Sequence, residues 1–228
     1  MIDKNEIIVL DDVVSPAFQD LIHDWLIAGD NAWYFSKDVA FADDVIQRGG
    51  YEKKYAFSKT FFSITSGVQT PMFSTILPLI LEGCHKINFK LEQTLFSRSF
   101  FTMPLPNSGP DDFDHTHVDV IEPHLVCLYY VNDSDGDTVF FDRTLDEFLE
   151  EPAIKAEMEH LDYADPRAPG PLEIIDRHID KSKFNIIKRV TPKKGRMVFF
   201  NGYRYHSAAR PSSGYRVVIN SDLRGYGN

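Results

Sequence analysis

The feature that most constrains the fold is the β texture of the sequence after about residue 95. Short runs rich in Phe, Tyr, Val and Ile alternate with Gly, Pro, Asn and Asp. Runs of this kind are typical of strands joined by turns and loops. The predicted strands are residues 96–103, 125–131, 138–141, 186–190, 197–200 and 216–221. Several short strands in succession predict a sandwich, a barrel or a jelly roll.

Helical patterns precede these strands. A strand-type run at residues 7–10 is followed by Ser15 and Pro16, which are typical of a helix start, and apolar residues then recur at helical spacing as far as Gly29, a C-cap candidate. A second helical pattern begins at residues 70–71, and Pro78 is expected to kink or split it. Amphipathic helices must bury their apolar faces, so we expect them to pack on another part of the chain.

The segment from about residue 142 to residue 184 interrupts the strand pattern. Thr144 and Glu147 have the spacing of a capping box, which predicts a helix to about residue 161 with a break near Pro152. Residues 162–183 contain several prolines and are predicted to form a long polar connection. A connection of this length is typical of a lid, a binding loop or a disordered insertion, and an oligomer contact or a spacer are further interpretations.

Charge and composition exclude some classes of function. The 228 residues include 24 basic and 34 acidic side chains, so the net charge is −10. This balance argues against a protein that binds duplex nucleic acid or an anionic membrane. The most apolar stretch, residues 72–81, is too short to span a bilayer, and no secretory signal is visible at the start of the sequence. Only two cysteines are present, which suits a reducing compartment, and we expect a cytoplasmic protein.

One histidine-rich segment has the composition of a metal site. In the sequence Asp-His-Thr-His-Val-Asp at residues 114–119, His117 and Asp119 are two positions apart and point the same way on an extended chain. His206, at the end of a predicted strand and turn, is the best candidate for a third ligand. Two imidazoles and one carboxylate are the facial triad of non-heme Fe(II) oxygenases.

Arg216 is a second candidate site residue. It follows His206 by ten positions and opens the last predicted strand, so it can reach the same cavity from a neighbouring strand. A guanidinium is suited to bidentate capture of a carboxylate. Together, His117, Asp119, His206 and Arg216 indicate an iron site with a carboxylate-bearing cosubstrate.

Three segments extend this indication to a family. Residues 124–132 (His-Leu-Val-Cys-Leu-Tyr-Tyr-Val-Asn), 136–141 (Gly-Asp-Thr-Val-Phe-Phe) and 190–200 (Val-Thr-Pro-Lys-Lys-Gly-Arg-Met-Val-Phe-Phe) follow one another in the chain. In this order they closely resemble the prolyl 4-hydroxylase branch of the Fe(II)/2-oxoglutarate dioxygenases. The resemblance covers about residues 95–222, although Asp135 replaces the first glycine of the Gly-Gly-x-Thr turn and the 142–184 segment is longer than in minimal members.

The resemblance implies a fold of the mainly β class, a double-stranded β-helix or jelly-roll barrel with N-terminal helices on its larger sheet. We therefore expect one domain over residues 1–228, with a helical support at about 1–94 and a barrel core at 95–222 that contains the 142–184 insertion.

The resemblance also implies an activity and a site. The enzyme would hydroxylate a carbon centre with Fe(II), 2-oxoglutarate and O2, releasing succinate and CO2, and ascorbate dependence rests on the resemblance alone. His117, Asp119 and His206 would bind iron, Arg216 would bind the far carboxylate of 2-oxoglutarate, and Tyr130 would add a hydrogen bond to it. The expected substrate is a peptidyl residue, and the alternative is a small molecule or free amino acid.

Two other interpretations stay open. In a cupin-type barrel, His115, His117 and Glu122 would bind the metal, although Val198 stands where the second cupin motif needs a histidine. The chain could also be a binding module that keeps the barrel without the activity. His115 itself is either a hydrogen-bonded loop residue or a group that supports the site from its second shell or the substrate side.

Overall fold

Two antiparallel β-sheets form the core of the fold. The computed structural model describes residues 3, 5–27, 31–36, 55–104, 112–161 and 168–227. The strands are β1 (Ile7–Leu10), β2 (Tyr34–Ser36), β3 (Ala56–Ser63), β4 (Gly67–Val68), β5 (Phe89–Thr102), β6 (Leu125–Tyr130), β7 (Thr138–Thr144), β8 (Ile186–Val190), β9 (Met197–Asn201), β10 (Arg204–Ala208) and β11 (Arg216–Gly227). The helices are α1 (Pro16–Ile27), α2 (Phe73–Lys86), α3 (Asp146–Leu149), α4 (Pro152–Glu159) and α5 (Pro171–His178).

The larger sheet has eight strands and the smaller has three. The larger sheet has the order β1-β9-β6-β11-β5-β3-β2, with β4 beside β3, and the smaller has the order β10-β7-β8. Neighbouring strands in the chain are often in different sheets, as β9 and β10 are. This exchange between two facing sheets is the architecture of a double-stranded β-helix, which confirms the predicted fold class.

Strand alternation divides the apolar residues among three clusters. On β6, Val126, Leu128 and Tyr130 face the interior between the two sheets. The intervening residues Leu125, Cys127 and Tyr129 face the opposite way and pack with α1 and α2. A third cluster lies outside the smaller sheet, where Phe141 and Tyr205 meet residues of the insertion. The N-terminal helices therefore cover the larger sheet, as predicted, and the insertion covers the smaller one.

The N-terminal part contains more strand than the sequence indicates. Only helices and the run at residues 7–10 were evident in the first 94 residues, yet β3 pairs with β5, and β1 pairs with β9 at the edge of the larger sheet. The register of β3 shifts between Thr60 and Phe62, which interrupts the period-two pattern by which a strand is recognised.

Helix α2 differs from expectation at its proline. It runs without a break from Phe73 to Lys86 although Pro78 lies inside it. Pro78 is exposed, so water can satisfy the carbonyl that loses its helical partner. Helix α1 begins at Pro16 as predicted, whereas the predicted C-cap Gly29 lies outside the described residues.

The insertion is more ordered than predicted. The capping-box helix is divided into α3 and α4 at Pro152, as expected, but the predicted polar connection at 162–183 contains α5 and a short 3-10 helix at Lys181–Lys183. Pro171 occupies the first turn of α5, where a missing backbone N–H costs nothing, and Ile174 and Ile175 are buried. The frequent prolines concealed this helix, and residues 162–167 lie outside the described part of the chain. Among the described residues, no helix has the length and apolarity that crossing a bilayer requires.

Candidate active site

Two backbone hydrogen bonds place His117 beside His206. The amide of each residue donates to the carbonyl of the other, and both N···O distances are 3.0 Å. This isolated bridge attaches the histidine-rich loop to the edge of the smaller sheet. The centroids of the two imidazole rings are 4.7 Å apart as a result. Residues 89 positions apart in the chain are thus joined by main-chain pairing.

The same ring nitrogen is left available on each histidine. Nδ1 of His117 is 2.8 Å from the carbonyl oxygen of His115, and Nδ1 of His206 is 3.1 Å from that of Arg204. A carbonyl only accepts, so Nδ1 carries the proton and Nε2 keeps its lone pair. Burial, followed by the neighbouring His206, lowers the pKa of His117 to about 3, so its imidazole is neutral at pH 7. Neutral imidazoles held through the other nitrogen are the usual form of histidine metal ligands.

Asp119 completes the group as an oriented carboxylate. Its Oδ1 accepts a hydrogen bond of 2.6 Å from Nη2 of Arg98, Nδ2 of Asn220 lies 3.2 Å from both carboxylate oxygens, and Oδ2 is 3.5 Å from Nε2 of His206. Burial would raise the pKa of Asp119, but nearby positive charge, chiefly that of Arg98, lowers it overall. The ligand atoms of His117, Asp119 and His206 all lie within 4.8 Å of one another. The set can bind a divalent transition metal from one side.

A second cluster shares Asp119 and is less suited to a metal. Asp119, His124 and Asp222 also have ligand atoms within 4.8 Å of one another. Burial raises the pKa of Asp222 well above its ordinary value, and the charge of Asp119 adds to this effect. A carboxyl group with a raised pKa gives up its proton to a metal less readily, so the set of His117, Asp119 and His206 is the better candidate.

Arg216 lies in the same cavity as the candidate ligands. The cavity has a volume of about 170 Å³, and its lining includes His117, Asp119, His206, Arg98 and Arg216 together with an apolar wall of Phe100, Val118, Val126, Leu128, Phe200 and Val218. Arg216 is only 3% exposed. No described carboxylate is within salt-bridge distance of its guanidinium, and its Nε has no hydrogen-bond partner among the described residues. A buried cation of this kind is suited to an anionic ligand.

Thr138 links Arg216 to Tyr130. Its Oγ1 accepts a hydrogen bond of 2.9 Å from Nη2 of Arg216 and one of 2.6 Å from the hydroxyl of Tyr130. Tyr130 is fully buried, and burial is the main cause that raises its pKa. Thr138 stands in the Gly-Asp-Thr turn, where the sequence has no signal that links it to Arg216. Because its oxygen accepts both hydrogen bonds, its own hydroxyl proton can be donated into the cavity that it lines.

The residues of the cupin interpretation are not brought together. The side chain of Glu122 is exposed, and only its carbonyl contributes, as the acceptor for Nδ1 of His124. His115 is absent from the described lining of the cavity. Its imidazole instead contacts Asp176 and Lys181 of the insertion. The geometry therefore favours Asp119 over Glu122 as the carboxylate of the site.

The sequence did not reveal the residues that hold Asp119. Arg98 and Asn220 are directly paired on β5 and β11, and both point towards the interior. The available signal was an arginine within the apolar and small-residue run 95–101 and an asparagine within the similar run 217–221. Their partnership depends on the pairing of the two strands, which no local pattern specifies.

Comparisons with known proteins support the fold. No protein-family model and no curated protein sequence matches the chain. An oxidoreductase of the 2OG-Fe(II) oxygenase family from Burkholderia pseudomallei is similar in structure, with a TM-score of 0.56, 10% identity, and coverage of 97% of this chain and 87% of that chain. The non-heme alpha ketoglutarate dependent epimerase SnoN from nogalamycin biosynthesis has a TM-score of 0.54 at 9% identity, with 97% of this chain and 78% of that chain covered.

A prolyl hydroxylase is also among the similar structures. The viral collagen prolyl hydroxylase vCPH from Paramecium Bursaria Chlorella virus-1 has a TM-score of 0.49 at 13% identity, with 99% of this chain and all of that chain covered. The similarity to the Burkholderia pseudomallei oxidoreductase and to SnoN shows that the chain has the fold of the 2OG-Fe(II) oxygenases.

Proposed function

We propose that the chain is an Fe(II)- and 2-oxoglutarate-dependent dioxygenase that hydroxylates a carbon centre. The observation that carries the proposal is a single cavity that is lined both by a set of metal-binding groups and by a buried arginine. His117, Asp119 and His206 lie on its wall as a compact set of metal-binding groups, and the buried Arg216 lines the same cavity without a carboxylate partner among the described residues. A dicarboxylate that contacts both the metal and Arg216 would satisfy both features.

The donor set fits Fe(II). Two neutral imidazoles and one carboxylate are a ligand set that non-heme Fe(II) enzymes use. In this chain, the carbonyls of His115 and Arg204 fix the orientation of the imidazoles, and Arg98 and Asn220 fix the carboxylate. Oδ2 of Asp119, the oxygen nearer to Nε2 of His206, is the one we assign to the metal. His117, Asp119 and His206 would thus hold the ion without large rearrangement.

Arg216 and Thr138 form the proposed cosubstrate anchor. Arg216 would donate two hydrogen bonds to the far carboxylate of 2-oxoglutarate, and Thr138 would donate one through its hydroxyl. Tyr130 was expected to contact this carboxylate itself, but its hydroxyl lies 2.6 Å from Oγ1 of Thr138. We therefore propose an indirect role, in which Tyr130 orients Thr138.

The rest of the cavity would exclude water and position the reacting groups. Bound Fe(II) and 2-oxoglutarate together supply O2 activation, with one oxygen atom entering succinate as CO2 leaves and the other entering a C–H bond of the substrate. Phe100, Leu128 and Phe200 line the cavity with apolar surface, which keeps competing water out. The protein itself would therefore orient the reacting groups, supply the charge that binds the cosubstrate and exclude water from the cavity.

For the substrate we favour a peptidyl residue. No described insertion residue lines the main cavity, and α5 reaches the site only through a small adjoining pocket that Leu172 and Asp176 share with His117. The described part of the insertion therefore borders the site without covering the main cavity, which favours a substrate that can lie in an open groove. A small-molecule substrate is the second candidate, and it is favoured by the likeness to SnoN, whose structure with Fe3+, alpha ketoglutarate and nogalamycin RO has a TM-score of 0.51.

The proposed function is tested by product analysis. Protein supplied with Fe(II), 2-oxoglutarate and air should form succinate, and mass spectrometry of peptides and metabolites should reveal a substrate that gains one oxygen atom. Asp119→Ala should abolish succinate formation, whereas Glu122→Ala, at an exposed side chain three residues on, should not. Loss of succinate in Glu122→Ala and retention in Asp119→Ala would instead support the cupin-type site.

A further inference from the structure

A partly buried ion cluster joins the insertion to the histidine-rich loop. The ammonium of Lys181 donates hydrogen bonds of 2.8 Å to Nε2 of His115 and 2.6 Å to the carbonyl of Thr116, and it forms an ion pair of 2.7 Å with Oδ2 of Asp176. The side chain of Lys181 is 13% exposed and that of Asp176 is 21% exposed. An ammonium group has three donors and no acceptor, so these three groups suit it as partners.

The contacts of Lys181 fall next to the two histidine ligands in the chain. Thr116 precedes His117, and Tyr205, whose ring centroid is 5.6 Å from the Lys181 ammonium, precedes His206. His115 also supplies the carbonyl that orients the His117 ring through Nδ1, at 2.8 Å. A single side chain of the insertion therefore touches the backbone or ring next to each ligand.

Apolar packing supports the same docking. Val118, which lies between His117 and Asp119, belongs to the buried cluster that includes Ile154 and Ile175 of the insertion. The insertion is thus attached on both sides of His117, by the ion cluster at residues 115 and 116 and by packing at residue 118. An insertion that served only as a spacer would need no partly buried lysine at this point, because taking an ammonium out of water costs free energy unless partners satisfy it.

Resting on the proposed function, we propose that Lys181 and Asp176 are positioning residues for the metal site, which hold the 115–118 backbone so that His117 presents Nε2 to the ion. In this account the insertion prepares the iron site from outside the barrel. It also assigns His115 a role, since its imidazole is one of the three partners of Lys181.

The test compares Lys181→Met with Lys183→Met. Lys183 lies in the same 3-10 helix, its side chain is 78% exposed, and its ion pair among the described residues is with Asp180 at the surface. Affinity for Mn(II) is measured by electron paramagnetic resonance, and hydrogen exchange of residues 113–121 is measured in the metal-free protein. Loss of a group that orients a metal ligand typically weakens affinity about 10- to 100-fold. We expect this loss, with faster exchange, in Lys181→Met and wild-type values in Lys183→Met.

A second variant controls for misfolding. Asp176→Asn combined with Lys181→Met removes the carboxylate that the single substitution leaves uncompensated, and it should show the same loss of Mn(II) affinity with a wild-type melting temperature. The proposal would be overturned if Lys181→Met and the double variant both bound Mn(II) within twofold of the wild-type affinity. Global unfolding of both variants would also overturn it, because Lys181 would then be needed for the whole fold. If the wild-type protein binds no Mn(II), the proposed function is contradicted. Faster hydrogen exchange of residues 113–121 in Lys181→Met than in wild type would then still show that Lys181 holds this segment.

Discussion

Arg98 sets both the charge and the orientation of Asp119. Replacing Arg98 with Met removes the 2.6 Å hydrogen bond and the main charge that lowers the pKa of Asp119. We expect Mn(II) affinity to fall by about 10- to 100-fold, as for other groups that orient metal ligands. The deficit should grow as the pH is lowered, because protons then compete for a more basic carboxylate. Arg143→Met, at a side chain that is 47% exposed, should bind Mn(II) like wild type.

Burial of Asp222 should make the stability of the folded protein depend on pH. Because burial raises its pKa in the folded state, folded protein keeps a proton that unfolded protein releases above about pH 4. Stability is therefore lost as the pH rises from 4 towards 7. Asp222→Asn mimics the neutral form, so the metal-free variant should be more stable than wild type at pH 7 and nearly equal to it at pH 3. Urea unfolding at the two pH values measures this, and equal stability at pH 7 would contradict it.

Site residues that stand at a characteristic spacing in the sequence could be predicted, whereas residues that join the site through distant contacts could not. His117 and Asp119 share a two-residue spacing, and Arg216 opens a strand soon after His206, so the sequence could predict that these residues lie around one cavity, while their roles stay a prediction. Lys181 lies in the segment predicted to be a polar connection. Its role depends on a contact with residues 65 and 66 positions away, and sequence spacing carries no information about such contacts.

At the scale of elements, the turn between β9 and β10 determines where His206 lies. A Cβ on Gly202 would come within 2.1 Å of the ring of His124, which is buried and held at Nδ1 by the carbonyl of Glu122. Gly202→Ala should therefore destabilise the protein by about 1 to 3 kcal/mol, the usual cost of overpacking. It should also weaken metal binding by displacing β10. Gly227→Ala, where a Cβ meets nothing within 4 Å, is the matched control in thermal unfolding.

The central strands were predictable because their burial gives a strong local signal. Strands β6 to β9 begin within a residue of the predicted positions, and all six residues of β6 are buried. Strand β5 begins at Phe89, seven residues before the predicted start, where exposed Lys90, Glu92 and Gln93 dilute its apolar pattern. Its extension pairs with the end of β11, and this long-range pairing determines its length.

At the scale of the molecule, the cavity does not share the acidic balance of the chain. The chain carries a net charge of −10, whereas the cavity lining includes two arginines and two aspartates. Asp119 is paired with Arg98 and Asp114 with Arg210, so Arg216 is the lining guanidinium that has no carboxylate partner among the described residues, as the proposed cosubstrate anchor requires. The pairing of β1 with β9 and of β3 with β5 brings the N-terminal strands into the sheet that carries Arg98 and Arg216, and a single domain over residues 1–228 stays a prediction.

The central claim is that the His117, Asp119 and His206 set and Arg216 serve one metal and one cosubstrate. Its most direct test is an anaerobic titration of metal-free protein with Fe(II) and 2-oxoglutarate, followed by visible absorption. We predict a charge-transfer band that saturates at one Fe(II) per chain and is absent in Asp119→Ala. Arg216→Met should require about 10- to 100-fold more 2-oxoglutarate, because hydrogen bonds to a charged group contribute about 1.5 to 3 kcal/mol. A wild-type protein without the band, or a band that persists unchanged in Asp119→Ala, would contradict the account.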